Sequence, residues 1–272
     1  MLDIEKIETY RRSHPRLREV VREILLFDRI DSTNRVALEM ASDGMPGGLV
    51  ILAESQEKGR GRLDRRWFSP AGANIYLTLL LRPYLPEREF PLFSMAASLG
   101  LVDGIQRVTG LTPEIKWPND ILINDKKLAG ILLQSTTTGG ETTPLVIGVG
   151  VNVNLDPDDF PPDLKQSAIS LKAVLGHSVN RSDLVCVILE MLSEQIFLLQ
   201  EGKKDLLIRR MRNECRTLGK RILVNTPRQV FEGVAEQIEA DGALLVRMGD
   251  GSRRRILIGD ITHLREAKQS HR

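Results

Sequence analysis

The residues best equipped for chemistry stand in a basic, glycine-bearing stretch, Gly59-Arg60-Gly61-Arg62, followed closely by Arg65, Arg66 and Trp67. Glycines let a backbone come close to a ligand, and arginines bring planar cationic forks that match carboxylates and phosphates. Such a stretch is built to hold an anion, although basic loops are as often plain solvated surface. Three more stretches bear on that choice. Asp31-Ser32-Thr33-Asn34 offers hydroxyls and amides at a helix start, where they serve either as caps or as partners for a polar ligand. Lys116-Trp117-Pro118-Asn119-Asp120 sets a polar pair between two apolar runs, which reads as a turn or as an inward-facing site. Lys127 opens an apolar run; a lysine there is commonly a solvated strand guard, yet it can also neutralise a reacting phosphate.

Rigid elements must position these groups. Apolar runs at 24–30, 48–53, 74–81, 128–134 and 144–154 read as strands, and 93–108 reads as an apolar helix that lies against a sheet. The basic connection between the second and third of these runs spans roughly twenty residues, against about four to six for an ordinary loop. Residues 1 to 24 are highly charged and suit a short amphipathic helix. Ser182 stands where it can cap a long helix reaching Gln200, a second helix follows over 203–215, and both are expected to pack on the sheet. From Gly219 the pattern changes to short alternating strands, with Asp241-Gly242 and Asp250-Gly251 as hairpin turns, which suggests a small barrel. Arg253, Arg254 and Arg255 read as a strand edge guarded by charge.

The 272 residues suffice for one large domain plus a small one, here 1–218 and 219–272. A net charge of +2 argues against a protein whose main partner is nucleic acid. Cys186 and Cys215 lack metal-ligand spacing and read as core thiols. No apolar segment is long enough for a membrane span and the N-terminus lacks a signal-peptide core, so a cytoplasmic location is expected. Gly148-Val149-Gly150 lacks the third glycine of a dinucleotide fingerprint, and no phosphate loop ending in Gly-Lys-Ser/Thr occurs.

Together, Asp31–Asn34, the Gly-Arg-Gly-Arg stretch with Trp67-Phe68-Ser69-Pro70, Lys116–Asp120 with Lys127–Leu132, and Gly148-Val149-Gly150-Val151-Asn152 resemble the biotin–protein ligases in order and spacing. The resemblance implies an α+β fold: a mixed sheet with helices, of the class II synthetase-like biotin/lipoate ligase kind, plus a small C-terminal SH3-like β-barrel. It implies ATP, Mg²⁺ and biotin as ligands, and a biotin carboxyl carrier domain of acetyl-CoA carboxylase or a related carboxylase as protein partner. A homodimer is compatible with it, while DNA and membrane are not expected partners. The short N-terminus is similar to that of members without a DNA-binding domain.

By the same resemblance, Lys127 touches the biotin carboxylate and the α-phosphate, and Arg62 retains the adenylate. Ser32, Thr33 and Gln56 hydrogen-bond the ureido edge of biotin. Gly59, Gly130, Gly148 and Gly150 leave it room, and Arg60 stands by both biotin and ATP. Trp67 packs over bound ligand, Lys116 adds charge at the phosphates, Asn119, Asp120 and Asn152 mark the ATP end, and Asp120 takes Mg²⁺. Arg265 corresponds to an arginine that reaches the nucleotide, although the local spacing is one residue longer. Asp64 stands where the family loop carries a glycine, and either takes the same left-handed backbone or pairs with Arg65 or Arg66. The rival readings are a lipoate or octanoate ligase, which lacks the Gly-Arg-Gly-Arg pattern, and a non-catalytic biotin sensor, which needs a DNA-binding domain.

Overall fold

A computed structural model describes residues 1–136, 143–226, 229–257 and 259–264. Among them, seven strands make the first sheet: β1 (Glu23–Phe27), β2 (Leu49–Ala53), β3 (Ile75–Leu81), β4 (Glu114–Lys116), β5 (Asp120–Ile123), β6 (Lys126–Ser135) and β7 (Leu145–Val151). Their order is β1-β2-β3-β7-β6-β5-β4, with β1 parallel to β2 and every other neighbour antiparallel. The helices are α1 (Ile4–Ser13), α2 (Pro15–Val20), α3 (Thr33–Ser42), α4 (Pro91–Thr109), α5 (Leu171–Leu175), α6 (Arg181–Gln200) and α7 (Lys204–Glu214).

Strands β2 and β3 are buried along their whole length, which is why they read as unbroken apolar runs without alternation. Ala37 and Ala41 of α3 cover one face, over Leu49, Ile51, Leu80 and Val146. The apolar side of α4 belongs to the main core on the other face. Helix α6 packs on α4, with Ile188 and Leu192 against Gly104 and Gly100, and so forms a further layer instead of lying on the sheet as the sequence suggested. The cap of α6 also differs from expectation. Asn180 accepts from Ser182 N and Asp183 N, while the Ser182 hydroxyl accepts from Asp3 N and ties down the N-terminal segment.

One buried ion pair braces the sheet where the site begins. Arg181 donates to Glu54 Oε2 at 2.9 Å and to the Asn74 carbonyl at 3.0 Å, and Glu54 also accepts from Leu2 N. The pair fixes the exit of β2 two residues ahead of Gln56. Losing either partner would strand a charge in the interior, so the pair demands its geometry more than it adds stability.

The chain then builds a five-stranded antiparallel sheet from β8 (Arg221–Asn225), β9 (Val230–Ile238), β10 (Leu244–Arg247), β11 (Arg253–Ile256) and β12 (Asp260–His263), in the order β11-β10-β9-β8-β12. β11 is an edge strand whose arginines pair with Glu236, Glu239 and Asp241, as charge guarding requires. Trp117 joins the two sheets: its backbone N–H donates to Thr217 Oγ1 at 3.0 Å, and its indole N–H donates to Gly242 O at 3.1 Å. Cys186 and Cys215 are buried and unpaired, and no described helix is long and apolar enough to cross a membrane.

Candidate active site

A cavity of about 1130 Å³ opens between the first sheet and the small one. Ser32, Thr33, Gln56, Arg60, Arg62, Trp67, Lys116, Asn119, Asp120, Lys127, Gly130, Gly148, Gly150 and Asn152 all line it. Of the other expected residues, Gly59 stands behind the wall, and Arg265 lies outside the described residues.

The polar end is built at the start of α3. Ser32 is its N-cap residue, yet its side chain makes no capping bond and remains free for another partner. The Gln56 Oε1 accepts from Thr33 N at 2.9 Å and from Thr33 Oγ1 at 3.1 Å. Behind them Asn34 is fully committed inside the protein: it donates to Gln134 at 2.9 Å and accepts from Thr78 Oγ1 at 2.6 Å. A side chain at Gly148 would collide with that amide, so the glycine there accommodates Asn34.

The cationic end rests on a local irregularity. Asp120 faces Gly130 across β5 and β6, but a bulge at Ile121/Leu122 pairs Leu122 with Lys127 instead of Leu128. Because strand side chains alternate, that one-residue shift turns Lys127 onto the face of Asp120. Lys127 Nζ then lies 2.5 Å from Asp120 Oδ1 and 5.5 Å from the centre of the Trp67 ring. Gly130 and Gly150 are direct cross-strand partners, and the indole lies over this bare patch: a Cβ at Gly150 would sit 2.5 Å from Trp67 Cε2. Asn152 is anchored at the β7 exit, its amide N–H reaching the Lys127 carbonyl at 3.4 Å.

Arg62 reaches across to both sheets, donating to Asn119 Oδ1 at 3.0 Å and to the Gly259 carbonyl at 3.0 Å. Arg65 pairs with Asp260, which lies 3.9 Å from Arg62. Burial pulls the Arg62 guanidinium below its ordinary range, with Asp260 and Asp120 opposing that shift. Burial also lowers Lys116; Asp120 and Asp260 oppose the shift, while Lys127 and Arg65 add repulsion. In the lining, Arg60, Arg62, Arg65, Arg66, Lys116 and Lys127 outnumber the carboxylates of Asp120, Asp125 and Asp260, so an incoming phosphate or carboxylate would add the missing negative charge. The left-handed backbone in the loop falls on Leu63, with φ 53° and ψ 43°, one residue ahead of Asp64. The Asp64 side chain, and its expected pairing, lies outside the described residues.

Sequence reasoning missed Asn34 as a wall, Ser69 and Asp260 as loop partners, and His263. His263 meets Thr217 Oγ1 at 3.1 Å and is held down to about 4, chiefly by burial, with Lys116, Lys220 and Arg216 repelling its charged form. Since its folded value lies below the ordinary 6.5, the unfolded chain takes up this proton more readily. The resulting stability is complete above that value and is lost as the pH falls toward 4. Thermal melts across this window should show His263→Gln less acid-sensitive than the parent; parallel profiles would refute the assignment.

Residues 26–152 match the Biotin/lipoate A/B protein ligase family, and residues 217–264 match the Biotin protein ligase C terminal domain. The chain is 38% identical over 168 residues to the bifunctional ligase/repressor BirA of Bacillus subtilis, an overlap of 61% of this chain and 52% of that protein. It thus spans about half the length of this curated relative. It is 33% identical to the biotin--[acetyl-CoA-carboxylase] ligase of Paracoccus denitrificans, over 80% of this chain and 92% of the relative. Its fold is similar to that of the biotin protein ligase from Aquifex aeolicus in complex with biotin and ATP, with TM-score 0.77, 24% identity, and coverage of 90% of this chain and 99% of that one. The two matched segments in order, and a relative covered almost end to end, mean that this chain belongs to the biotin protein ligase family.

Proposed function

We propose that the chain is an ATP-dependent ligase acting in two steps. The biotin carboxylate attacks the α-phosphorus of ATP, forming biotinyl-5′-AMP and releasing pyrophosphate. The ε-amino group of a lysine on a biotin carboxyl carrier domain then attacks the acyl carbon, forming an amide, losing a proton and releasing AMP. Residues 1–218 supply the reaction centre, and the described part of 219–272 lines its other side.

The observation that carries this reading is the convergence of Lys127, Arg62 and Asp120, from three separate stretches, beside a cavity whose far end offers Thr33 and Gln56. Bringing a carboxylate to a phosphate sets two anions together, so fixed cations must offset their repulsion. Lys127 is the group between them. Arg62 and Lys116 face the phosphates, Arg60 stands at the mouth, and Trp67 packs on the ligand. Ser32, Thr33 and Gln56 hold the ureido edge, and Asn119 and Asn152 hold the nucleotide end. Asp120, in the lining of the cavity, would hold Mg²⁺ brought in on the ATP phosphates. That ion would add positive charge at the phosphates.

The test is pyrophosphate release by the purified protein with MgATP and biotin, octanoate or lipoate, without a carrier. A stoichiometric burst with biotin, continuing only when a biotin-acceptor domain is added, is expected. Release with lipoate and not biotin would transfer the chain to a sister activity.

A further inference from the structure

We infer that Ser69 is a positioning residue that fixes the hydrogen-bond polarity of the biotin end, although it does not line the cavity. This rests on the reading of that end as the ureido site. Ser69 is buried, 9% exposed, two residues beyond Trp67. The Gln56 Nε2 donates to Ser69 Oγ at 3.0 Å, and Ser69 Oγ donates to the Trp67 carbonyl at 3.0 Å.

Backbone groups at both ends leave this chain one direction. Thr33 N is a main-chain donor, so the Gln56 amide must turn its oxygen toward it, at 2.9 Å. The amide nitrogen then points at Ser69, whose oxygen must accept. The Ser69 proton is left for Trp67 O, which can only accept. Thr33 Oγ1 also donates to Gln56 Oε1 at 3.1 Å, so what it can offer the cavity is a lone pair. An acceptor at that wall selects a ligand N–H, as a cyclic urea carries and an acyl chain lacks.

Gly59 supplies independent support. A Cβ there would lie 2.5 Å from Ser69 Oγ and 2.6 Å from Trp67 O. The glycine makes room for this hydroxyl and the carbonyl it meets, and Trp67 N donates back to Gly59 O at 2.9 Å. Ser69 therefore couples the polar end to the residue whose indole covers Gly130 and Gly150.

Biotin-dependent pyrophosphate exchange in Ser69→Ala and Ser69→Cys tests this. Cysteine keeps the volume but accepts weakly, so it removes the polarity without opening a hole. In both variants KM for biotin should rise about 10- to 50-fold, with kcat and the KM for ATP within about 3-fold of the parent. The parent's preference for biotin over an analogue methylated on its ureido nitrogens should also shrink by a similar factor. A folded Ser69→Cys protein with the parent's biotin KM and the parent's preference overturns the inference alone. A parent protein active with lipoate and silent with biotin overturns the underlying reading, and this inference with it.

Discussion

Lys127→Ala should reduce biotinyl-adenylate synthesis by roughly 10³-fold or more, because the role proposed for its ammonium is to offset the repulsion of the two reacting anions. The fold should survive. The Lys127 side chain is 37% exposed, and its pair with Asp120 is half-solvated, so little stability resides in it. Its backbone anchors are independent of the side chain: Lys127 N donates to Ser167 O at 2.7 Å, and Ile169 N donates to Lys127 O at 3.0 Å. Pyrophosphate exchange measured beside a thermal melt separates the two effects. Parent-like turnover in the variant would sink the assignment. A collapsed melting curve would instead show that the side chain holds the bulge, and then Lys127→Met, which retains the aliphatic stem, decides between the roles.

The sequence was most readable where a pattern had one physical cause. The fully apolar runs at 48–53 and 74–81 became β2 and β3, because a strand covered by helices on both faces has no polar side to show. The residues singled out in the four stretches, with Gln56 beside them, fall for the most part on one cavity wall, because stretches that resemble one family in order also converge in space. What stayed hidden depended on contacts between distant residues. The bulge that turns Lys127 toward Asp120 is a property of the pairing of β5 with β6, and Lys126–Gly130 taken alone does not report it. β12 is only four residues long and gains its identity from pairing with β8, so the sequence reading singled out no strand over Asp260–His263. Ser182 and Asn180 are both good caps by composition. Only the position of Asp3 decides which one is free for another duty. Ser69 stood inside the Trp67–Pro70 stretch without a role, because its partner Gln56 arrives from thirteen residues upstream.

Arg62→Ala should shorten adenylate retention by about 10²-fold, the scale of one charge-assisted contact to a phosphate lost from a largely buried site. The guanidinium already spends two directions on Asn119 and Gly259 O, which hold it between the β4–β5 hairpin and the start of β12. Asp260 lies 3.9 Å away, too far for a hydrogen bond, and its closer partner is Arg65. Arg62 is thus oriented by neutral acceptors and left without a close counter-charge of its own. A ligand phosphate would complete it, and the resulting exchange of partners would favour the bound loop over the free one. Arg62→Lys should recover little of the retention, because a single ammonium cannot bridge both sheets and still present a donor to the cavity. Dissociation of labelled biotinyl-5′-AMP, followed after dilution into excess unlabelled biotin and ATP, measures this directly. An unchanged half-life in Arg62→Ala would mean that Arg60, Arg65 or Lys116 carries the retention, and that the bridge between the sheets is structural.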